Sequence, residues 1–317
     1  MDEEAVFAFQ KSFKLGSPVM SNSSSVLFTI VHIRDNVVQY ASARGLTLMR
    51  PLWKSYFFTE YAVILFHYLD FYTAKLLAGN YSEQLAHDAH ISGSDEYADI
   101  AALSARQVLG ATDFSGTPEN PLIFLKEISS NGNTQTVDVI FPAFPFFMYT
   151  NPRWLAYLLE PLLEHQLSGQ YPNLYSMHDL GAHYPNLTGH ADGNDEYMPV
   201  EECGDMLIMA LSLINSLMYK TGERAQSLWS AYGDPAVPSK LEASPFALHA
   251  TGDGAETYGL DDQWGGPAKG EIQAKEWIDK TYSIWKQWTE YLVDESLLPP
   301  NQREHLLKYL DGTADIP

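Results

Sequence analysis

The spacing of apolar residues divides the chain into a short strand-like beginning and a longer helical remainder. Residues 6–9 and 25–33 are rich in β-branched and aromatic side chains, and Gly16 and Pro18 lie between them. Short apolar runs separated by turn-forming residues predict strands. We therefore expect residues 1–45 to be the end of an N-terminal β domain together with its linker.

After this beginning, apolar residues recur every three or four positions, which is the period of an amphipathic helix. One helix is expected to begin at Asn151 and Pro152, because proline is favoured at the first helical position. The other predicted helices span residues 51–78, 95–109, 203–219 and 271–293. The fold class is therefore mainly α. Strands followed by helix pairs suit an α/α toroid, a ring of helical hairpins around a central site, and we expect this toroid to be incomplete.

The helical pattern is interrupted in the middle of the chain. The runs 122–128 and 136–141 are predicted to be extended, with a turn at Asn131 and Gly132 between them. Residues 171–199 have no sustained period and are expected to form a loop. Functional residues are common in loops that a rigid scaffold holds in place.

Residues 226–270 are rich in Gly, Pro, Ser and Asp, which is typical of a surface insertion. The insertion would join the helices predicted at 203–219 and 271–293 into one hairpin. We accordingly expect residues 46–317 to form the partial toroid and to carry this insertion.

Composition and charge exclude several classes of protein. Hydrophobic residues make up 45% of the 317-residue chain, which is enough for a large core. The net charge of -21 repels nucleic acid and anionic membranes, and neither is an expected partner.

Cys203, the single cysteine, cannot form an intrachain disulfide. Because it opens an apolar helix, we expect it to be a packed thiol rather than a nucleophile.

The densest group of reactive side chains lies between residues 177 and 205, which contain three His and seven Asp or Glu. Apolar neighbours suggest that some of these carboxylates are partly buried, where an ionised group is costly unless it is paired or used. The alternative is a solvated acidic loop. The predicted catalytic residues are Glu202, Glu201 and Asp179. A helix dipole should lower the pKa of Glu201 and Glu202, which suits a base that activates water, with Asp179 or a His as the proton donor.

A second group of charged residues lies within the predicted strands around the Asn131 turn. The alternative for two of them, Lys126 and Glu127, is a plain surface ion pair. The predicted substrate-binding residues are His178, His183, Lys126, Glu127, Asn131, Asp138 and Asp192. A metal site built from His178, His183 and His190 is conceivable, but its spacing fits no standard pattern, so neither a metal nor a cofactor is expected.

Possible N-glycosylation sites bear on whether the protein is secreted. Three N-x-[ST] sequons, at Asn22, Asn80 and Asn186, would be glycan acceptors in a secreted protein. The first residues lack the basic and apolar regions of a signal peptide. We expect an extracellular protein whose leader is absent from this sequence.

Several long motifs resemble those of the glutaminase A family of secreted microbial enzymes. The central ones are KEISSNGNTQTVDVIFP, HDLGAHYPNLTGH and MPVEECGDM, and FTIVHIRD, ARQVLGAT and WTEYLVDESLLPPNQ are also similar. The resemblance extends from about residue 5 to Gln302, except over the insertion. Two features depart from the family pattern: Asp205 stands where the family usually has Asn, and the chain diverges after Gln302.

The resemblance implies an N-terminal β domain followed by a six-hairpin toroid related to glycoside hydrolases. It also implies hydrolysis of L-glutamine to L-glutamate and ammonia, for which Glu202 would activate water and Asp179 would protonate the leaving group. One alternative is a six-hairpin glycoside hydrolase that acts on a glycan. Another is an inactive remnant, because the chain looks like a fragment that would be neither stable nor active alone.

Overall fold

The chain is mainly helical, with two small sheets. The computed structural model describes residues 8–13, 25–118, 120–127, 131–218 and 267–297. The helices of this part are α1 (Glu60–Leu69), α2 (Phe71–Ser92), α3 (Asp95–Ala111), α4 (Val137–Thr150), α5 (Pro152–Leu167), α6 (Pro199–Met218) and α7 (Pro267–Leu292). The strands are β1 (Val38–Ser42), β2 (Gly45–Met49), β3 (Thr112–Thr117), β4 (Asn120–Leu125) and β5 (Asn186–Leu187). The predicted fold class, mainly α, is confirmed.

The two sheets are formed by short neighbouring strands. One has the order β2-β1-β5, in which β1 and β2 form an antiparallel hairpin and β5 runs parallel to β1. The other is the antiparallel hairpin of β3 and β4, and a bridge between Pro51 and Ser115 brings it beside the end of β2. The first sheet thus ties the long loop that contains β5 to the beginning of the described fold.

Helix α5 lies at the centre of the core and is buried on most of its surface. Its start is confirmed as predicted: Pro152 is the first residue, and the Asn151 side chain accepts a hydrogen bond from the Arg153 N–H. The ring of Trp154 packs edge-on against Phe114 with the centroids 5.2 Å apart. Strand β4 and helices α4, α6 and α7 pack around α5. The core therefore holds the chain on both sides of the loop between α5 and α6.

Tertiary burial overrides the extended conformation predicted for residues 136–141. They begin helix α4, although the segment is β-branched and the helix contains Pro142 and Pro145. The buried face of α4 includes Ile140 and Phe147, both fully enclosed. Burial of an apolar side chain is worth about 1.5–3 kcal/mol, more than the difference in propensity between helix and strand. In place of the second extended segment expected after the Asn131 turn, the structure has a bridge between Lys126 and Thr134.

Two further expectations at the start of the chain are wrong. Residues 25–34 form no strand, and within the described chain no neighbouring strand pairs with them, so Ile30 remains exposed. The predicted helix 51–78 is a short 3-10 turn followed by α1 and α2. Helix α1 begins only after Thr59, whose hydroxyl caps it by accepting a hydrogen bond from the Ala62 N–H.

The predicted pairing of the two last helices is confirmed, because α6 packs against α7. Most of the predicted insertion at 226–270, and all of the chain after residue 297, lie outside the described residues. No helix in the described ranges has the length and apolar character that crossing a bilayer requires. Large apolar side chains are nevertheless exposed on several helices, including Leu76, Ile91, Ile100, Leu103, Ile208 and Leu211.

Candidate functional site

The first turns of α4 and α6 meet the loop segment 177–181 and bring the acidic residues together. Backbone hydrogen bonds hold this segment in place: the Val137 N–H donates to the His178 carbonyl at 2.8 Å, and the Leu180 N–H donates to the Thr134 carbonyl at 2.9 Å. Asp138 lies in the first turn of α4 and Glu202 in the first turn of α6. Residues distant in sequence therefore face one another.

A buried pair of His178 and Glu202 lies at the centre of this site. Their Nδ1 and Oε1 atoms are 2.6 Å apart, and the two side chains are 2% and 1% exposed. The second carboxylate oxygen of Glu202, Oε2, is buried and has no hydrogen-bond partner among the described residues. We call Asp138, Asp179, Glu202 and Asp205 the carboxylate cluster: the first three act on His178, and Asp205 acts on Glu202. A buried oxygen without a partner is costly, so this one indicates a place for water or a ligand.

Asp179 is held firmly by its surroundings. Its Oδ1 accepts hydrogen bonds from the Gly181 N–H at 2.5 Å and from His190 Nε2 at 2.8 Å. Gly181 has φ 122°, a conformation that residues with a side chain rarely adopt. His190 is thus linked to the cluster through Asp179.

Asp195 and Tyr171 hold the loop in place through hydrogen bonds. Neither residue is among the site residues predicted from the sequence. The Tyr171 hydroxyl donates to the Asp195 carboxylate, and the backbone N–H of His178 donates to Asp195 Oδ2 at 2.8 Å. Glu196 Oε2 lies 3.4 Å from His178 Nε2. The only sequence signal for Asp195 and Glu196 was their position within the His- and carboxylate-rich stretch.

The pKa of Glu202 is shifted in the direction opposite to the one expected from its place at a helix start. Burial raises it to about 8, although the hydrogen bond with His178 acts to lower it. A helix dipole is worth about 0.3–1 kcal/mol. Removing a carboxylate from water costs several kcal/mol, so burial outweighs the dipole. The prediction of a lowered pKa for Glu202 is wrong for this reason.

The pKa values of other groups in and beside the cluster are shifted as well. Burial and the charges of Glu201 and Asp138 raise the pKa of Asp205 to about 7. Burial also raises the pKa of Asp138. Burial alone would lower the pKa of His178, but its hydrogen bond with Glu202 and the nearby carboxylates outweigh burial and raise it to about 9. The site therefore holds protons around neutral pH.

The raised pKa of His178 makes a testable contribution to stability. Its ordinary value is 6.5, so the stabilisation is present in full below pH 6.5 and is lost as the pH rises through about 9. The difference in free energy of unfolding between wild type and His178→Gln should therefore shrink from pH 6 to pH 10, by up to about 3 kcal/mol. Urea unfolding at a series of pH values measures it.

The same substitution at His67, which is exposed on α1, is the matched control. His67→Gln should change the free energy of unfolding little at every pH, because surface substitutions are usually within about 0.5 kcal/mol. A constant difference between wild type and His178→Gln across the series would contradict the assignment of His178 as a proton-binding group.

Lys126 and Glu127 follow directly after β4, and Glu127 is on the side of the cluster. Its charge acts on Asp138, and its carboxylate accepts a hydrogen bond from the Thr136 hydroxyl at 3.3 Å. Lys126 instead places its Nζ 5.0 Å from the centre of the Tyr184 ring. The two neighbours therefore have different surroundings.

Four further predicted site residues have exposed side chains. Asn131 and Asp192 each accept a hydrogen bond from the backbone N–H two residues later, which is a turn-forming role. The backbone of His183 bridges Gly132 and Asn186. Glu201 lies in the first turn of α6, beside the buried Glu202. The structure does not bring these four side chains into the buried pair, and their roles remain predictions.

Gly132 explains why the turn at Asn131 meets the loop so closely. A Cβ atom on Gly132 would lie 2.3 Å from the carbonyl oxygen of Ala182.

Of the three sequons, Asn186 is exposed on β5 and Asn80 is half-buried within α2, while Asn22 lies outside the described residues.

Of the three histidines considered for a metal site, His178 contacts Glu202, His190 contacts Asp179, and the side chain of His183 is exposed. Among the residues that the structure describes, no group of three or more His, Cys, Asp or Glu is arranged to hold a metal ion.

Cys203 is a packed thiol, as predicted. It is fully buried, its pKa is raised to about 12 by burial, and its sulfur accepts a hydrogen bond from the Ser176 N–H.

An open cleft of about 420 Å³ lies elsewhere on the described surface, and no residue of the carboxylate cluster lines it. An ion pair between Lys280 and Glu160 is part of its wall. Its lining residues are Ala43, Asn120, Leu122, Glu160, Glu164, Leu167, Ser168 and Lys280. The unpartnered carboxylate oxygen that marks the candidate site is not in this cleft.

Comparisons with known proteins agree with the resemblance. Residues 94–230 match the family described as the glutaminase A six helical-hairpin domain, and residues 1–88 match a domain of unknown function. A probable glutaminase of Arthroderma benhamiae is 56% identical over 310 residues, and glutaminase A of Aspergillus oryzae is 39% identical over 298 residues. These alignments cover 95% and 94% of the chain but 36% and 35% of the relatives. The chain thus spans about a third of their length, and no solved structure matches it.

Proposed function

Because the chain belongs to the glutaminase A family, we propose that it carries the catalytic carboxylates of an enzyme that hydrolyses the side-chain amide of L-glutamine to L-glutamate and ammonia. The observation that carries the proposal is the buried pair of His178 and Glu202, with Glu202 Oε2 left without a partner among the described residues. Water bound at this oxygen would be activated next to the substrate amide.

Glu202 serves as the base in this proposal. A catalytic carboxyl group works best when its pKa lies near the working pH, because it must both accept and release a proton. Burial brings the pKa of Glu202 into this range, to about 8. A protonated His178, 2.6 Å away, stabilises the ionised form of Glu202 that takes the proton from water.

Asp205 replaces Asp179 as the proposed acid. Oδ1 of Asp179 already accepts two hydrogen bonds, which suits a positioning role for this side chain. Asp205 follows Glu202 by three residues on α6, and residues at this spacing share a helix face. Its pKa of about 7 lets it hold a proton near neutral pH and pass it to the departing ammonia.

The proposed enzyme acts on a small molecule outside the cell and needs neither nucleic acid nor a membrane. The exposed position of Asn186 supports the extracellular location, because a glycan could be attached there. The acidic composition supports the absence of nucleic acid as a partner.

Release of ammonia is the test of the function. The complete protein is expected to release ammonia from L-glutamine, measured by a coupled glutamate dehydrogenase assay, and to leave chromogenic glycosides intact. Two carboxylates can also cleave a glycosidic bond, so the glycosides are the necessary comparison. Hydrolysis of a glycoside with no ammonia from glutamine would overturn the proposal in favour of a glycoside hydrolase.

A further inference from the structure

His165 is a buried titratable residue that the proposed reaction does not use. It lies in the last turn of α5, the central helix, and its side chain is 1% exposed. Its Nδ1 is 2.7 Å from the carbonyl oxygen of Ala41 on β1, so this nitrogen carries a proton and donates. Burial lowers the pKa of His165, which keeps the ring neutral. The other nitrogen, Nε2, has no hydrogen-bond partner among the described residues.

The edge of the ring that carries Nε2 lies against Gly189, two residues after β5. A Cβ atom on Gly189 would be 2.5 Å from both Nε2 and Cε1 of His165, whereas ordinary contact begins at 3.4 Å. Only a residue without a side chain fits there, and the φ of 65° at Gly189 favours glycine as well. The N–H of Gly189 donates to the Leu180 carbonyl at 2.8 Å. Gly189 is thus held both by the ring and by the loop that carries the carboxylates.

The residue after Gly189 is His190, which reaches the carboxylate cluster. Its Nε2 is 2.8 Å from Oδ1 of Asp179, and Oδ2 of Asp179 is 4.0 Å from Nε2 of His178. The next contact is the buried pair of His178 and Glu202, 2.6 Å apart. A displacement of Gly189 therefore reaches the proposed base through a series of short contacts.

We propose that His165 is a positioning residue of the site: the edge of its ring fixes Gly189, and thereby the place of His190 against Asp179. This assignment rests on the proposed amide hydrolysis. Strand β1 supports the ring through the Ala41 carbonyl and also pairs with β5, so one strand sets both sides of the contact. A shift at Gly189 should misplace the cluster without removing any group that reacts.

Gly189→Ala is the test of this contact. Restoring ordinary contact would move the added Cβ atom by about 1 Å, and a misplacement of that size can cost about 10²-fold in rate. In the complete protein, kcat for ammonia release from L-glutamine should therefore fall by about 10²-fold, with a smaller change in KM. Gly169→Ala is the matched control, because φ there is 78° but nothing lies within 4 Å of the added Cβ atom. It has similar backbone strain without the contact and should keep nearly the wild-type kcat.

His165→Asn separates the contact from the backbone strain. The Asn side chain keeps an N–H that can donate to the Ala41 carbonyl but lacks the ring atoms Cε1 and Nε2 that meet Gly189. Combined with Gly189→Ala, it makes room for the added Cβ atom. The double variant should therefore be about 10-fold faster than Gly189→Ala alone, because substitutions of residues in contact are strongly coupled. Two unrelated structural losses would add instead.

A Gly189→Ala enzyme with the wild-type kcat would overturn the assignment, and so would a double variant that is as slow as Gly189→Ala. If Gly189→Ala does not fold, recovery of folding in the double variant supports the contact with His165, and no recovery contradicts it.

A measurement that needs no activity separates this assignment from the catalytic proposal. Burial alone would lower the pKa of His190, but its hydrogen bond with Asp179 and the charges of Asp179 and Asp195 outweigh burial and raise it. Titration of the His190 ring by nuclear magnetic resonance should show a lower pKa in Gly189→Ala than in wild type, and an unchanged pKa in Gly169→Ala. If wild type releases no ammonia, the catalytic proposal fails, and this titration still decides the positioning role. The same pKa of His190 in wild type and Gly189→Ala contradicts that role.

Discussion

Glu202→Gln is expected to lower kcat of the complete protein by about 10²–10⁴-fold, the usual cost of losing a general base. The substitution removes the charge and the basicity but preserves the shape of a side chain that is 1% exposed. It also leaves an amide able to contact His178. The initial rate of ammonia release from saturating L-glutamine measures the effect, with unfolding curves to show that the variant is folded.

A matched control is Glu290→Gln on α7. Glu290 is exposed and its interaction is a surface pair with Lys286, 3.3 Å away. Such pairs contribute about 0.3–0.5 kcal/mol, so the control should keep the wild-type rate and nearly the wild-type stability. A Glu202→Gln enzyme within about threefold of wild type would remove Glu202 from the mechanism.

Trp154→Ala is expected to reduce the free energy of unfolding by about 3–5 kcal/mol. The Trp154 side chain is 1% exposed, at the start of the most buried helix, and packs against Phe114. The substitution removes a large buried surface and leaves a cavity that the surrounding helices cannot fill. Urea unfolding of the complete protein followed by circular dichroism measures the loss.

The comparison is Tyr282→Ala on α7, which truncates another large aromatic residue. Tyr282 is 60% exposed, so its truncation should change the free energy of unfolding by less than about 0.5 kcal/mol. If Trp154→Ala cost less than about 1 kcal/mol, the central position of α5 in the core would be wrong.

Local sequence signals succeeded where the chemistry of a few residues decides the conformation. Proline at position 152 after Asn151 marked the start of α5, and the apolar period after residue 203 marked most of α6. Helix α3 begins where Ser94 caps it, close to the predicted start at residue 95. In each case a cap and a continuous helical period point to the same conformation.

Local signals failed where packing partners decide the conformation. The β-branched run at 136–141 became the start of α4 because the core encloses its apolar side chains. The similar run at 25–33 formed no strand, because within the described residues no strand lies beside it. Strand propensity describes the fit to a neighbouring surface, and sequence alone does not say whether that neighbour exists.

The pattern of residues along the chain is enough to predict the helical class, the stretch that contains the candidate chemistry and, through long motifs, the family. Which acidic residues meet depends on packing between segments that are far apart in the chain. This packing buries Glu202 against His178, draws Asp138 beside them from another helix, and leaves Glu201 exposed one residue away. The physical reason is that the protonation and pairing of a carboxylate depend on the water and charges removed or added around it, and those come from segments distant in sequence.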